Sequence, residues 1–228
     1  MLFILALTDA WTDSSGKVFY RPEPYVIGFL DVKRAHFVAP CRREVYVELP
    51  EELREAFPGC VAKLRQSLYG TRDASSNWEH AIADRMRELG FEQGRSSPCH
   101  FVHLGRQLRV SVHGDDFTTL GALRDVKWFH SQLQSKWKCE IRGILAPPSM
   151  THNGVVHEIR HLNRLITWDV HGITWEADPR HVELLLRDVN VGPTGSRVLT
   201  TPLVKEKSEA ADVEDVPLAA DEARLYRS

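Results

Sequence analysis

Two adjacent aspartates, Asp115 and Asp116, stand in the segment HGDDF at 113–117, between an alternating apolar run and a second short apolar run. Consecutive side chains of a strand point to opposite faces of a sheet, so both carboxylates face one site only if a turn re-aims one of them. Gly114 permits such a turn because glycine adopts backbone conformations that other residues avoid. The pattern therefore predicts two carboxylates at a turn between strands.

A third acid, Asp31, closes the apolar run YVIGFLD at 25–31, which is typical of a buried strand. If this strand lies beside the first two acids, three carboxylates come together and repel one another unless cations neutralise them. Carboxylates are ligands that Mg²⁺ and Mn²⁺ prefer, and two such ions ~3.5–4 Å apart promote in-line phosphoryl displacement. The alternative is that Asp115 and Asp116 are solvated turn residues without a ligand.

Apolar periodicity predicts the elements that position these acids. The segments 74–90 and 126–137 carry apolar residues at the three- and four-residue steps of an amphipathic helix. Alternating runs predict a hairpin over 99–113 and further strands between 139 and 177, followed by a helix at 178–189. Helices mixed with mostly antiparallel neighbouring strands predict an α+β fold.

The composition is that of an ordinary globular protein, with 228 residues, 43% hydrophobic and 26% charged. A formal net charge of −2 argues against a strongly basic nucleic-acid-binding surface, although an acidic run at 205–222 leaves the remainder slightly positive. The four cysteines lack zinc-ligand spacing and are predicted to be reduced and mostly buried. Residues 2–11 predict the end of a buried helix, and their apolar part is too short to cross a bilayer.

Three blocks of the sequence carry a longer pattern. They are FLDVKRAHFVAPCRREVYVELP at 29–50, VAKLRQSLYGTRDASSNWEHAIADRMRELGF at 61–91 and SSPCHFVHLGRQLRVSVHGDDFTTLG at 96–121. Their order and spacing resemble the copia-type LTR-retrotransposon reverse transcriptase, whose blocks run DVKTAFLNG, KL.KSLYGLKQAPR.W and YVDDILITG. EIRHLNRLITWDVHGITWEADPRHVELLL at 158–186 and VLTTPL at 198–203 resemble later segments of that family, so the resemblance extends over residues 25–228.

The resemblance implies a polymerase palm, which is an antiparallel sheet with helices on one face, together with part of a thumb. It implies a residual fingers or palm-entry segment at 1–24 and the palm with its catalytic carboxylates at 25–145. A primer-grip hairpin and the start of the thumb follow at 146–191. Residues 192–228 are then a linker or tail toward an RNase H region that is absent here.

The resemblance also implies roles for single residues. Asp31, Asp115 and Asp116 take the positions of catalytic carboxylates that bind two Mg²⁺ ions, with Mn²⁺ as a substitute. The nucleotide-binding positions fall on His36, Gly70 and Arg72, and the primer-binding positions on His113, Gly114, Leu162, Asn163 and Arg164. His36 replaces an aromatic ring that rejects a ribonucleotide 2′-hydroxyl, so weaker exclusion of ribonucleotides is predicted.

The implied reaction is RNA-directed DNA polymerisation, in which a primer 3′-hydroxyl attacks the α-phosphate of a deoxynucleoside triphosphate. The implied partners are an RNA or DNA template-primer, deoxynucleotides and the RNase H and integrase parts of a Pol polyprotein. The chain is predicted to be intracellular, in the cytoplasm, a virus-like particle or the nucleus, without a membrane anchor.

Two departures from the family keep other functions open. Only 30 residues precede Asp31, and the stretch at 72–76 replaces Lys-Gln-Ala-Pro-Arg, which weakens the expected grip on a polyanion. One alternative is an inactive remnant that folds and at most binds nucleic acid or a partner. The other is a metal-dependent nuclease that uses the same three acids.

Overall fold

The computed structural model describes residues 6, 10–12, 15–20, 23–177 and 179–188, and the chain divides into two compact units, Met1–Pro179 and Arg180–Ser228. The helices are α1 (Ala35–Val38), α2 (Glu51–Arg54), α3 (Ala74–Glu88), α4 (Leu123–Gln134) and α5 (Pro179–Asp188). The strands are β1 (Ala10–Thr12), β2 (Val18–Tyr20), β3 (Tyr25–Val32), β4 (Tyr46–Glu48), β5 (Val61–Lys63), β6 (Glu92–Gln93), β7 (His100–His103), β8 (Leu108–His113), β9 (Asp116–Ala122), β10 (Cys139–Leu145), β11 (Val155–Val156), β12 (Glu158–His161), β13 (Arg164–Asp169) and β14 (Gly172–Ala177).

A seven-stranded sheet forms the centre of the first unit, in the order β11-β10-β3-β9-β8-β7-β6. Its neighbours are antiparallel except for β10 and β11. All eight residues of β3 are buried, which agrees with the continuous apolar run that predicts this strand. The mixed architecture with a mostly antiparallel sheet confirms the α+β prediction at this level.

The two faces of this sheet are covered by different layers. Alternation along β3 sends Val26 and Leu30 toward α3 and α4, whose buried side chains share a core with them. Ile27 and Phe29 point the other way and pack against the three-stranded sheet β12-β13-β14. Asp31 follows in the Phe29 series, so its carboxylate lies on the face opposite the two helices.

The helical periodicity of the sequence is confirmed in α3, whereas α4 begins and ends three residues before the predicted segment 126–137. Gly90, just beyond α3, has a φ of 85°, a left-handed conformation that suits glycine after a helix. The second helix ends at Gln134 rather than at Trp137. The Trp137 ring still packs, edge to face, 4.8 Å from that of Trp78. Its apolar character therefore reflects core packing beyond the helix rather than helix length.

Some predictions for the ends of the chain and the cysteines need correction. Ala10–Thr12 pair with β2 as a strand, so the helix predicted at 2–11 does not reach its predicted end. All four cysteines are free, and none is buried. The tail predicted at 192–228, its acidic run and the proposed cap at Asp178 lie outside the described residues. None of the helices described is both long and apolar enough to span a membrane.

His130 is a titratable group inside the core. It lies on α4, is 1% exposed, and neither of its ring nitrogens has a hydrogen-bond partner among the described residues. Burial lowers the pKa of its imidazole to about 4, because the charged ring is poorly solvated there. The folded chain therefore holds His130 neutral.

We expect the free energy of unfolding to fall by roughly 3 kcal/mol as the pH drops from about 6.5 to about 4. The unfolded state takes up a proton over this range while the folded state does not. His130→Leu should flatten this part of the pH profile in urea titrations. An equally steep loss in the variant would contradict the assignment to His130.

Candidate active site

The three predicted acids meet at one end of the central strands. Asp31 on β3 lies directly opposite Asp116 on β9, and directly paired residues of antiparallel strands share a face. Asp116 in turn pairs with His113, which leaves Gly114 and Asp115 as the two loop residues of the β8-β9 hairpin. Gly114 has a φ of 63°, as a type II′ turn requires at its first loop position.

Two contacts hold this hairpin turn in place. The backbone N–H of Val32 donates to the Asp115 carbonyl at 2.9 Å, which ties the turn to the end of β3. The indole N–H of Trp78 donates to the Gly114 carbonyl at 2.7 Å, which ties it to α3. The sheet and one of its covering helices therefore fix the backbone that carries the acids.

The charges of the three acids act on one another. Burial raises the pKa of the Asp116 carboxyl above its ordinary value, and the charges of Asp115 and Asp31 raise it further. Arg142 and His113 partly oppose this effect. Among the residues that the structure describes, no three acidic, histidine or cysteine side chains are already arranged around a metal position. The donors have the chemistry that Mg²⁺ requires, but their side chains would have to turn to share an ion.

Each carboxylate oxygen of Asp31 contacts a cationic side chain. Lys33 Nζ lies 2.8 Å from Oδ2, and an Arg142 guanidinium nitrogen lies 3.4 Å from Oδ1. Lys33 also pairs with Glu140, which stands opposite Asp31 on β10. Hydrogen bonds to Asp31 and Glu140 raise the pKa of Lys33, so this ammonium stays charged. Sequence reasoning missed these partners because their proximity depends on the pairing of β3 with β10.

Of the residues expected to bind the nucleotide, His36 lies in α1, and Gly70 and Arg72 lie in the loop before α3. The His36 ring packs 4.4 Å from the ring of Tyr69, a residue that sequence reasoning missed. His36 also lines a cavity of about 410 Å³ together with Trp78 and Gly114, which connects it to the hairpin turn. Gly70, which follows Tyr69, has a φ of 89°. A Cβ atom added at this position would have no heavy atom within 4 Å.

The predicted nucleotide contact Arg72 is exposed, and no described contact joins it to the acids. Its neighbour Asp73 accepts two hydrogen bonds from the Arg43 guanidinium, each of 3.0 Å. This pair holds the loop before β4 against the start of α3. Asp73, the acid that departs from the family pattern, is therefore paired with an arginine of the same chain.

The predicted primer-binding turn lies beside Asp116. Leu162 and Asn163 have φ values of 47° and 56°, the left-handed pair that a two-residue type I′ hairpin requires between β12 and β13. Both residues line a cavity of about 330 Å³ together with Asp116 and Arg142. Arg164, the first residue of β13, is exposed and does not line this cavity.

His161 attaches the turn to the main sheet. Its ring packs 4.7 Å from that of Phe29, and its Nε2 lies at hydrogen-bond distance, 3.2 Å, from the Thr118 hydroxyl. Burial lowers the pKa of His161, and the charges of His113 and Arg142 lower it further. The lowered pKa favours the neutral imidazole beside the Arg142 guanidinium, which suits a packing and hydrogen-bonding role.

The raised pKa of Asp116 predicts that its ionisation lowers the free energy of unfolding. Because the folded state disfavours the ionised carboxyl, stability is lost as the pH rises from the unfolded to the folded pKa. Asp116→Asn removes this loss and should raise the free energy of unfolding at pH 7 by up to about 1 kcal/mol. Asp84→Asn is the control, since that acid pairs with Arg87 on the exposed side of α3. A destabilised Asp116→Asn variant would contradict the prediction.

A comparison with protein families decides what kind of protein carries these acids. The sequence profile of the reverse transcriptase (RNA-dependent DNA polymerase) family matches residues 19–146, more than half of the chain. The chain belongs to this family. The matched residues of this reverse transcriptase domain include all three acids and the positions expected to bind the nucleotide, whereas the Leu162–Asn163 turn lies beyond them. A search of curated proteins found no match.

Proposed function

We propose that this reverse transcriptase domain is the palm and the beginning of the thumb of a copia-type retrotransposon enzyme. Its proposed reaction is template-directed transfer of deoxynucleotides to a primer 3′-hydroxyl with two divalent cations. The observation that carries the proposal is the register of Asp31 opposite Asp116, with Asp115 in the turn between β8 and β9. The end of β3 and β9 thus combines paired acids with two adjoining cavities, one lined by Gly114 and the other by Asp116.

In this proposal, Asp31, Asp115 and Asp116 supply the carboxylate oxygens that hold the cations. Two bound Mg²⁺ ions supply Lewis-acid activation of the hydroxyl and charge stabilisation of the departing pyrophosphate. The turn at Leu162 and Asn163 positions the primer end, because it borders the cavity that Asp116 lines. Here the protein mainly orients the substrates and concentrates negative charge for the cations.

The nucleotide is proposed to bind on the other side of the turn. His36 and Tyr69 present two closely packed, tilted rings, and Gly70 leaves open space beside them. Gly114 joins this cavity to the acids. Arg72, exposed in the loop before α3, is proposed to contact a phosphate of the nucleotide or template.

The proposal keeps the subdomain boundaries that the family resemblance implies. The palm extends over 25–145 and the primer-grip and thumb start over 146–191, with the segments 1–24 and 192–228 before and after them. Template-primer and deoxynucleotides are the proposed substrates, and RNase H and integrase regions of a Pol polyprotein are the proposed partners. The proposed location is the cytoplasm, a virus-like particle or the nucleus.

A primer-extension assay tests the function. The purified chain is incubated with a primed RNA template, deoxynucleotides and Mg²⁺ or Mn²⁺, beside Asp115→Asn and the control Asp84→Asn. Extension that only Asp115→Asn loses supports the proposed polymerase. Shortening of the strand that depends on Asp115 would identify a nuclease instead.

An inactive remnant is the second candidate, and one observation favours it. Asp31 already has Lys33 and Arg142 as counter-cations, and no preformed metal position occurs in the described part of the chain. This candidate predicts a folded protein that shows no extension with either metal. A gel-shift titration with the same template-primer would then show whether nucleic-acid binding persists.

A further inference from the structure

We propose that Arg142 is an internal counter-cation of Asp31 that a divalent ion must displace before it binds. The inference rests on the proposed function, since it concerns the metal that the three acids would hold. The guanidinium contacts Asp31 Oδ1 at 3.4 Å, while Lys33 contacts the other oxygen. Both oxygens that a cation needs are therefore already neutralised.

The backbone of β10 explains why Arg142 reaches this carboxylate. Glu140 pairs with Asp31 and Ile141 with Leu30, but the next residue of β3, Phe29, pairs with Gly143. Arg142 is thus the extra residue of a β-bulge, one position beyond the pair of Ile141 with Leu30. Arg142 stands two residues after Glu140, so alternation places it on the face that carries Glu140 and Asp31, where it lines the cavity next to Asp116.

Arg142 and Lys33 differ in their carboxylate partners other than Asp31. Lys33 has a second carboxylate partner in Glu140 and can keep this pair when Asp31 turns toward a metal. The nearest Glu140 oxygen is 3.9 Å from an Arg142 guanidinium nitrogen, so this ion pair is longer than the one with Asp31. Arg142 also lines the same cavity as Asp116, so it lies beside two of the three acids. The positive charge that most opposes a divalent ion is therefore that of Arg142.

The test measures metal affinity rather than polymerisation. Calorimetric titration of Mn²⁺ into the purified chain is compared for wild type, Arg142→Gln, Arg142→Lys and Asp115→Asn. Arg142→Gln should bind Mn²⁺ about tenfold more tightly, since one unit charge a few ångströms from the ion is removed. Arg142→Lys keeps a cation and should stay within about threefold of wild type, which controls for loss of packing.

Arg87→Gln is the matched control for net charge. Arg87 also pairs with one carboxylate, Asp84 at 2.7 Å, but it lies on the exposed surface of α3. Its variant should leave Mn²⁺ affinity unchanged. Unchanged or weaker binding in Arg142→Gln, while Asp115→Asn abolishes binding, overturns the role of Arg142 and leaves the proposed function intact. Binding that Asp115→Asn does not reduce overturns both.

A spectroscopic readout tests the displacement itself. The Nε–Hε resonance of Arg142, assigned by its loss in Arg142→Gln, should shift when Mg²⁺ is added to the wild-type chain. The same resonance should not respond to Mg²⁺ in Asp115→Asn. A resonance that stays in place while Mg²⁺ binds would show that the ion pair survives and would overturn the inference.

Discussion

Replacing Asp31 by asparagine will reduce the proposed primer extension by about a thousandfold or more. Asparagine has nearly the same size, but it cannot supply the negative charge that a divalent ion needs. Asp31 is 8% exposed and stands directly opposite Asp116. An exposed acid elsewhere on the surface therefore cannot take over its position as a metal ligand. The measurement is the rate of extension at saturating Mg²⁺ and deoxynucleotide.

Glu140→Gln is the control for this substitution. Glu140 is the other cross-strand neighbour of Asp31, and it shares the Lys33 ammonium. It lies on the side of Asp31 away from Asp116, so its loss should change extension by no more than about threefold. An equal loss in both variants would show that the ion-pair network, rather than the charge of Asp31, supports the reaction.

Replacing Gly28 by alanine will lower the free energy of unfolding by about 2 kcal/mol. A Cβ atom at this position would lie 2.5 Å from Val126 Cγ1 and 2.7 Å from the His130 ring. Both neighbours belong to α4, so the helix must move away from the centre of the sheet. Urea denaturation measures the change.

A control and a rescue identify the clash as the cause. Gly105→Ala should change stability by less than about 0.5 kcal/mol, because its Cβ would meet its nearest atom at 3.5 Å. Val126→Ala removes the closest atom. The double variant with Gly28→Ala should therefore be more stable than the sum of the two single effects predicts, by about 1 kcal/mol. Strict additivity would contradict the steric explanation.

The sequence predicts the elements with a strong local period and misses what depends on pairing at a distance. The apolar run of β3, the helical spacing in α3 and the β7-β8 hairpin are confirmed, since each is encoded within a short segment. Three carboxylates could be proposed as neighbours, but their register requires β3 to pair with β9. Family resemblance, rather than periodicity, provided the expectation that these strands meet.

The partners of the acids were the least predictable part of the site. Arg142 reaches Asp31 because β10 pairs with β3, and nothing in the run CEIRGIL indicates which strand it pairs with. Tyr69 packs against His36 from a loop in which Gly70 has a positive φ of 89°. In each case a non-local or irregular backbone feature brings together residues that are far apart in the chain.

The pairing of β3 has a consequence for how the domain forms during synthesis. Its two neighbours in the sheet, β9 and β10, begin only at Asp116 and Cys139. This buried apolar strand must therefore wait, unpaired, until synthesis has passed Ala122, and it gains its second neighbour only after Leu145. Such long-range pairing folds slowly and leaves apolar strands exposed to aggregation. We therefore expect nascent chains that stop before residue 145 to depend on chaperones, and the acids to assemble among the last features of the fold.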